Sequence, residues 1–184
     1  MNIEVDILTP DDPRIERYQL LLVPLLYAVS DEVLQRLNRF VAAGGHVVYP
    51  FKSGFADADM KVRHQRQPAV IREAIGASYQ LFVEPHEVTL HSELLDLPPQ
   101  ARGVSHWMEL LEVDGPATEV WARYQHPYWG KYAAIVHNPC GQGSATYSGC
   151  DISDAALEAV VKRLLPIARV AESGQRFPLV VKRA

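Results

Sequence analysis

Glu109 and Glu112 stand close to Trp107 in the run Trp107-Met-Glu-Leu-Leu-Glu112. Two carboxylates can divide acid and base work when one is held protonated and the other ionised on a rigid scaffold. An indole beside an acid also suits a sugar face. The same residues equally suit a strand with a core-packed indole and solvated acids, which is the commoner use of a tryptophan. A second candidate is the thiol of Cys140 with His137 nearby in sequence. An activated thiol needs a base, an orienting third group and an oxyanion hole, and Cys140 precedes Gly141 in a hairpin context. The sharp turn such chemistry requires would follow His46-Val-Val-Tyr49, where the chain reads Pro50, Phe51, Lys52 and Ser53, with no cysteine. Ser53 lacks the G-x-S-x-G surroundings of a nucleophile elbow.

Other patterns yield less. Gly141-x-Gly143 opens no helix, so it is read as a hairpin turn rather than a dinucleotide cradle. Asp57-Ala-Asp59 lacks the glycine and distal glutamate of a calcium loop and reads as a solvated acidic loop. His46, His64, His86, His91, His106, His126 and His137 form no H-x-x-x-H pair of the kind that holds zinc. The expectation is therefore no catalytic residue, no metal and no cofactor. Two stretches suit contacts instead. Lys61-Val-Arg-His-Gln-Arg66 ends a long loop, and Tyr128-Trp129-Gly130 reads as an aromatic hairpin tip. Long loops in compact domains are usually functional or mobile, and aromatic side chains are enriched at interfaces. Phe51, Ser53, Asp57, Arg63 and Trp129 are accordingly the candidate interface or pocket-wall residues, with a solvated loop face as the plain alternative.

The elements that would position these residues are partly legible. Ile3 to Leu8 alternates and stops at Thr9-Pro10, as a strand does. Tyr18 to Pro24 is a continuous apolar run, which predicts a strand buried on both faces of a parallel sheet. Ser30 caps a helix whose apolar face is Val33, Leu34, Leu37, Phe40 and Val41, ended by Gly44-Gly45. His46 to Tyr49 is the next strand, and the strand–helix–strand unit implies a parallel crossover. Phe51 to Gln67 reads as a loop and Ala69 to Ile75 as a helix behind Pro68. From Tyr79 to Tyr147 short strand patterns dominate. Ser153 caps a last helix over Ala156, Leu157, Val160, Val161, Leu164 and Leu165, which Pro166 should end or kink.

The chain has 184 residues, 48% hydrophobic and 22% charged, which suits one ordered domain. Its 18 basic and 22 acidic side chains leave a net charge of −4, so nothing favours nucleic acid or an anionic membrane as partner. The N-terminus lacks a basic stretch followed by an apolar core, and the apolar run at Leu20 is too short to span a bilayer. A cytoplasmic protein with two free cysteines is the expectation.

Several stretches together resemble glycoside hydrolase family 42, the β-galactosidases. Tyr18 to Tyr27 resembles that family's "Y-x-hydrophobic-V-x-A-P-x-L-Y" strand and turn, and Phe40-Val-Ala-Ala-Gly-Gly45 its helix end. Ser53-Gly54 with Asp57 is similar to its "SG…D" loop, and Pro68 to Gly76 to its "PG-x-L-R-x-x-x-G" helix. Trp107 to Leu110, Trp121 to Tyr124 and Gly141 to Gly149 follow in the family's order. Pro50-Phe51-Lys52 and Pro139-Cys140 depart from the usual pattern. The resemblance covers only the family's second domain and leaves its catalytic barrel without a counterpart. It implies an α/β domain with a flavodoxin-like, class I glutamine-amidotransferase-like three-layer core and a β-rich excursion. It places that domain at residues 1–175, with 176–184 starting a small β domain. It also implies a non-catalytic role in subunit association, as a homo-oligomer, a trimer above all, or docked on a separately encoded barrel. In the family this domain lies near the active-site entrance, so the 51–67 loop could help shape it. A stand-alone module binding a small ligand or a sugar, through Trp107, Trp121 or Trp129, remains the alternative.

Overall fold

A computed structural model describes residues 3–172. In chain order the elements are β1 (Leu20–Leu22), α1 (Asp31–Ala42), β2 (His46–Tyr49), α2 (Arg72–Ile75), β3 (Ala77–Ser78), β4 (Phe82–Val83) and β5 (Thr89–His91). They continue with β6 (Val104–Glu109), β7 (Glu112–Val113), β8 (Glu119–Gln125), β9 (Ala133–Cys140), β10 (Gly143–Ser148), β11 (Cys150–Ile152) and α3 (Asp154–Ile167). The main sheet has the order β1-β2-β10-β9-β8-β5. β1, β2 and β10 run parallel, and β9, β8 and β5 alternate in direction beyond them. β11-β6-β4 and β3-β7 form two small antiparallel sheets. The β-rich middle is thus present, and the fold is mixed α/β.

The two strong helices form for the reasons their sequences give. α1 follows Ser30 in extended conformation, carries Asp31 and Glu32 in its first turn and buries Leu34, Leu37, Phe40 and Val41. In α3 the Ser153 hydroxyl accepts the Ala156 N–H at 3.3 Å, and the helix ends one residue past Pro166. They cover opposite faces of the main sheet. α1 and α2 pack with Val47, Tyr49, Ala145 and Tyr147, whereas α3 packs with Val48, Trp121, Tyr124 and Ile135. β2 and β10 are buried throughout because they lie between these layers. Gly141, at φ 61°, makes a two-residue turn between β9 and β10. Gly143 lies so close to the Gly45 carbonyl that a Cβ would sit 2.0 Å from that oxygen.

Three expectations are corrected. Ile3 to Leu8 forms no strand, and Val5 and Ile7 are 74% and 97% exposed. A strand pattern needs a ladder partner to become a strand, and this segment has none among the described residues. The run at Tyr18 to Pro24 yields only β1, which is the outer strand of the sheet and half-buried. Ala69 to Ile75 is a 3₁₀ turn followed by the single α-turn of α2, closed by Gly76 at φ 65°. The expected domain boundary at residue 175 lies outside the described residues.

Candidate functional site

Because β1, β2 and β10 are parallel, the loops after them open at one end of the sheet. β9 runs against β10, so the turn between β8 and β9 opens at that end too. This carboxyl end is where open α/β sheets commonly bind. It holds both stretches singled out above, the 51–67 loop and the Tyr128-Trp129 tip.

Lys52 sits within the turn that follows β2, in left-handed conformation at φ 57°. Its ammonium lies 3.5 Å from the centroid of the Trp107 ring and 6.0 Å from that of Tyr27. Phe82 stacks on the same indole at 4.4 Å, so both faces of Trp107 are taken. Phe82 meets Phe55 edge-on at 6.0 Å, and Phe55 stacks on Tyr27 at 5.5 Å. The result is a run of four rings with one cation on it. Phe82 is 44% exposed, and Leu81 beside it 58%. Met60 and Val62, on the neighbouring hairpin of the loop, are also exposed.

Beneath this patch lies Glu109, with no exposed surface. Its Oε1 accepts the Lys52 backbone N–H at 2.9 Å and the Trp107 indole N–H at 3.2 Å. Its Oε2 accepts the Tyr147 hydroxyl at 2.7 Å. The carboxylate therefore ties the elbow at Lys52 to the indole on which the Lys52 side chain rests. Burial pushes its pKa up to about 7, against the lowering influence of Tyr147 and the Lys52 N–H. The sequence reading of Glu109 as a solvated acid is thus corrected; Glu112 is the exposed one and pairs with Arg66.

The 51–67 loop folds onto its own domain through Arg63. The buried Arg63 guanidinium donates to the carbonyls of Gly54 at 2.9 Å, Val29 at 2.7 Å and Ala56, and to Asp31 Oδ1 at 2.6 Å. Ser53 is buried and donates to the Pro50 carbonyl at 2.7 Å. Asp57 Oδ1 accepts the N–H groups of Asp59 and Lys61 at 2.9 and 3.0 Å, which explains Asp57-Ala-Asp59 as a closed turn. Phe51 is half-buried at the start of the loop. Trp129 is half-buried as well and stacks on His126 at 5.9 Å, while Tyr128 beside it is 75% exposed. The ring contacts of Trp129, with His126 and Tyr132, do not extend to the Trp107 stack.

The other sequence candidates separate. Cys140 and His137 are three apart on β9, so they face opposite sides of the sheet. The His137 ring stacks on Trp121 at 4.5 Å and bonds Thr146 at 2.9 Å. Trp121 is itself buried. Cys140 and Cys150 are both free, and burial pushes the Cys150 thiol up to about 12. Among the described residues no cluster of His, Cys, Asp or Glu could hold a metal. No described helix is long and apolar enough to cross a membrane. Tyr27, Phe55 and Phe82 escaped the sequence reading, because isolated aromatics in separate segments carry no spacing signal.

The family described as "Beta-galactosidase trimerisation domain" matches residues 1–171. The chain belongs to this family. Among curated relatives of this trimerisation domain, the β-galactosidase BgaH of Haloferax lucentense is 30% identical over 190 residues. That match takes in 96% of this chain and 26% of BgaH. The β-galactosidase LacZ of Heyndrickxia coagulans is 26% identical over 92% of this chain and 25% of its own length. Among solved structures, the polyextremophilic β-galactosidase of Halorubrum lacusprofundi superposes with a TM-score of 0.78 at 27% identity, over 94% of this chain and 25% of that one. A catalytic mutant of Gan42B, a GH42 β-galactosidase from G. stearothermophilus, shares the fold with a TM-score of 0.80 at 23% identity, over 93% and 24%. The chain spans about a quarter of the length of these relatives.

Proposed function

We propose that this trimerisation domain acts as the non-catalytic association module of a β-galactosidase, and that it assembles through the carboxyl end of its sheet. The observation that carries the reading is the run of half-buried Tyr27, Phe55 and Trp107 with exposed Phe82, and Lys52 across it. Contiguous exposed apolar surface rimmed by polar groups is the usual mark of a protein–protein contact. The loop that bears Phe55 also carries Phe51 and the turn at Asp57, with Ser53 and Arg63 holding it, and Trp129 belongs to a separate ring group with His126 and Tyr132. The occupant is a further copy of the chain, giving a trimer, or a separately encoded barrel. The three-layer arrangement around β1, β2 and β10 supports a flavodoxin-like, amidotransferase-like origin for the core. Two free thiols fit a reducing cytoplasm.

Hydrolysis of terminal β-galactosides belongs, on this reading, to the catalytic part of the assembly. Glu109 is sealed from solvent and does not meet a glycosidic oxygen. Trp107 has no free face for a sugar to stack on, which weighs against the stand-alone sugar-binding alternative. Light scattering on the purified chain tests the association. A trimer at micromolar concentration that Phe82→Asp converts to monomer is expected. A monomer at about 100 μM, with no affinity for a family 42 barrel, would refute it.

A further inference from the structure

A cavity of about 430 Å³ runs along the outer edge of the main sheet, away from the aromatic face. One flank is β1 and the other is the extended segment 3–8. Val33 and Leu37 of α1 close it on one side, and Val161 and Leu165 of α3 on the other. The two helices that sandwich the sheet therefore reach past its last strand and enclose an apolar space.

The backbone of β1 faces this space. Gln19 accepts from the His46 N–H and Val23 donates to the Val48 carbonyl, so these positions are turned toward β2. Peptide groups alternate along a strand, which turns the N–H and C=O of Leu20 and Leu22 toward the cavity. Leu20 packs into the α3 layer and Leu21 into the α1 layer, as in a strand meant to lie between helices. On the far flank, Ile3 to Leu8 has a strand pattern and no strand partner among the described residues, and its Asp6 is held to the Tyr18 hydroxyl at 2.7 Å.

We propose that this slot receives an apolar β-strand from a partner polypeptide, which inserts between β1 and segment 3–8 and extends the main sheet. Strand addition to a sheet edge draws affinity from main-chain hydrogen bonds and specificity from side-chain pockets. A strand covered by helices on both faces must be apolar at successive positions, which fixes the chemistry of the incoming segment. The relatives carry about three-quarters of their length outside the matched region, so the strand is supplied by the remainder of a β-galactosidase. Only that identity of the partner rests on the association reading; the slot and its occupant's chemistry do not.

A labelled, end-blocked peptide of alternating valine and leucine, with a lysine at each end, is titrated against the full chain. Fluorescence anisotropy follows binding, and amide exchange is read at Leu20 and Leu22. The expected result is saturable binding with slowed exchange at both amides, and no binding by the same peptide N-methylated at alternate residues. Leu22→Pro removes an edge donor without touching the ladder to β2 and should weaken binding roughly tenfold. If that variant fails to fold, protection at Leu20 and Leu22 in the unaltered chain and the N-methylated peptide still decide. No saturation by about 1 mM, binding with both amides left unprotected, or a dimer paired through β1 would each overturn the proposal. Loss of strand binding with the trimer intact sinks only this inference, whereas strand binding by a chain that never associates sinks only the association reading.

Discussion

Glu109 gives the most quantitative handle on the candidate face. Glu109→Gln keeps the shape of the side chain. The amide oxygen can still accept from Lys52 and Trp107, and the amide nitrogen can donate to the Tyr147 hydroxyl oxygen. In the unaltered chain the carboxyl ionises near 4.5 when unfolded and at about 7 when folded. The folded state therefore holds the proton more tightly, and the stability this confers is full below about pH 4.5 and lost as pH rises through 7. Well above pH 7 the ionised, buried carboxylate weakens folding by roughly 3 kcal/mol relative to acid conditions. Glu109→Gln lacks that ionisation, so it should match the parent at pH 5 and exceed it by about 2–3 kcal/mol at pH 8.5. For a domain of this size that is a rise in Tm of about 4–12 °C. Urea unfolding from pH 5 to 8.5, on both proteins in parallel, measures it. Parallel pH profiles, or a variant less stable than the parent at pH 8.5, would refute the reasoning that desolvation governs this group.

Arg63→Met should destabilise the chain by about 3–5 kcal/mol in urea unfolding, because the carbonyls of Val29, Gly54 and Ala56 lose a common donor inside the protein. Ser153→Ala should lose about 1 kcal/mol by the same measurement, through the cap of α3 alone. His137 works on the acid side: burial lowers its pKa to about 4, so the stability it confers is present above pH 6.5 and lost as pH falls toward 4. His137→Gln should reduce that acid loss by about 2 kcal/mol, read from unfolding between pH 7 and 4.5. Under native conditions a thiol reagent should modify Cys140 within minutes and leave Cys150 unreacted until the chain unfolds, since Cys150 is buried and protonated.

Local signals in the chain are legible where local physics decides the outcome. Ser30 and Ser153, followed by apolar positions at helical spacing, mark α1 and α3 within a residue of their ends. Tyr18 to Pro24 shows the limit. Its composition suits a strand buried on both faces, yet which strand ends a sheet depends on partners distant in sequence. Ile3 to Leu8 fails for the same reason. The loop at Phe51 to Gln67 was visible as a loop, but Arg63 looked like part of a solvated basic stretch, because nothing local announces that three carbonyls from two segments converge on it. The aromatic face was the least legible part. Tyr27, Phe55, Phe82 and Trp107 come from four separate segments, and Glu109 looked solvated because acids are seldom fully buried.

On the proposed association, the inward anchoring of Arg63 bears on how quickly copies would recognise one another. A segment whose guanidinium already satisfies Gly54, Ala56, Val29 and Asp31 arrives at an encounter in its final shape. Little rotational freedom remains to be surrendered on contact, so more of the gain from covering the rings is kept as affinity. A rigid face of this kind spares the encounter a loop-ordering step that would slow association.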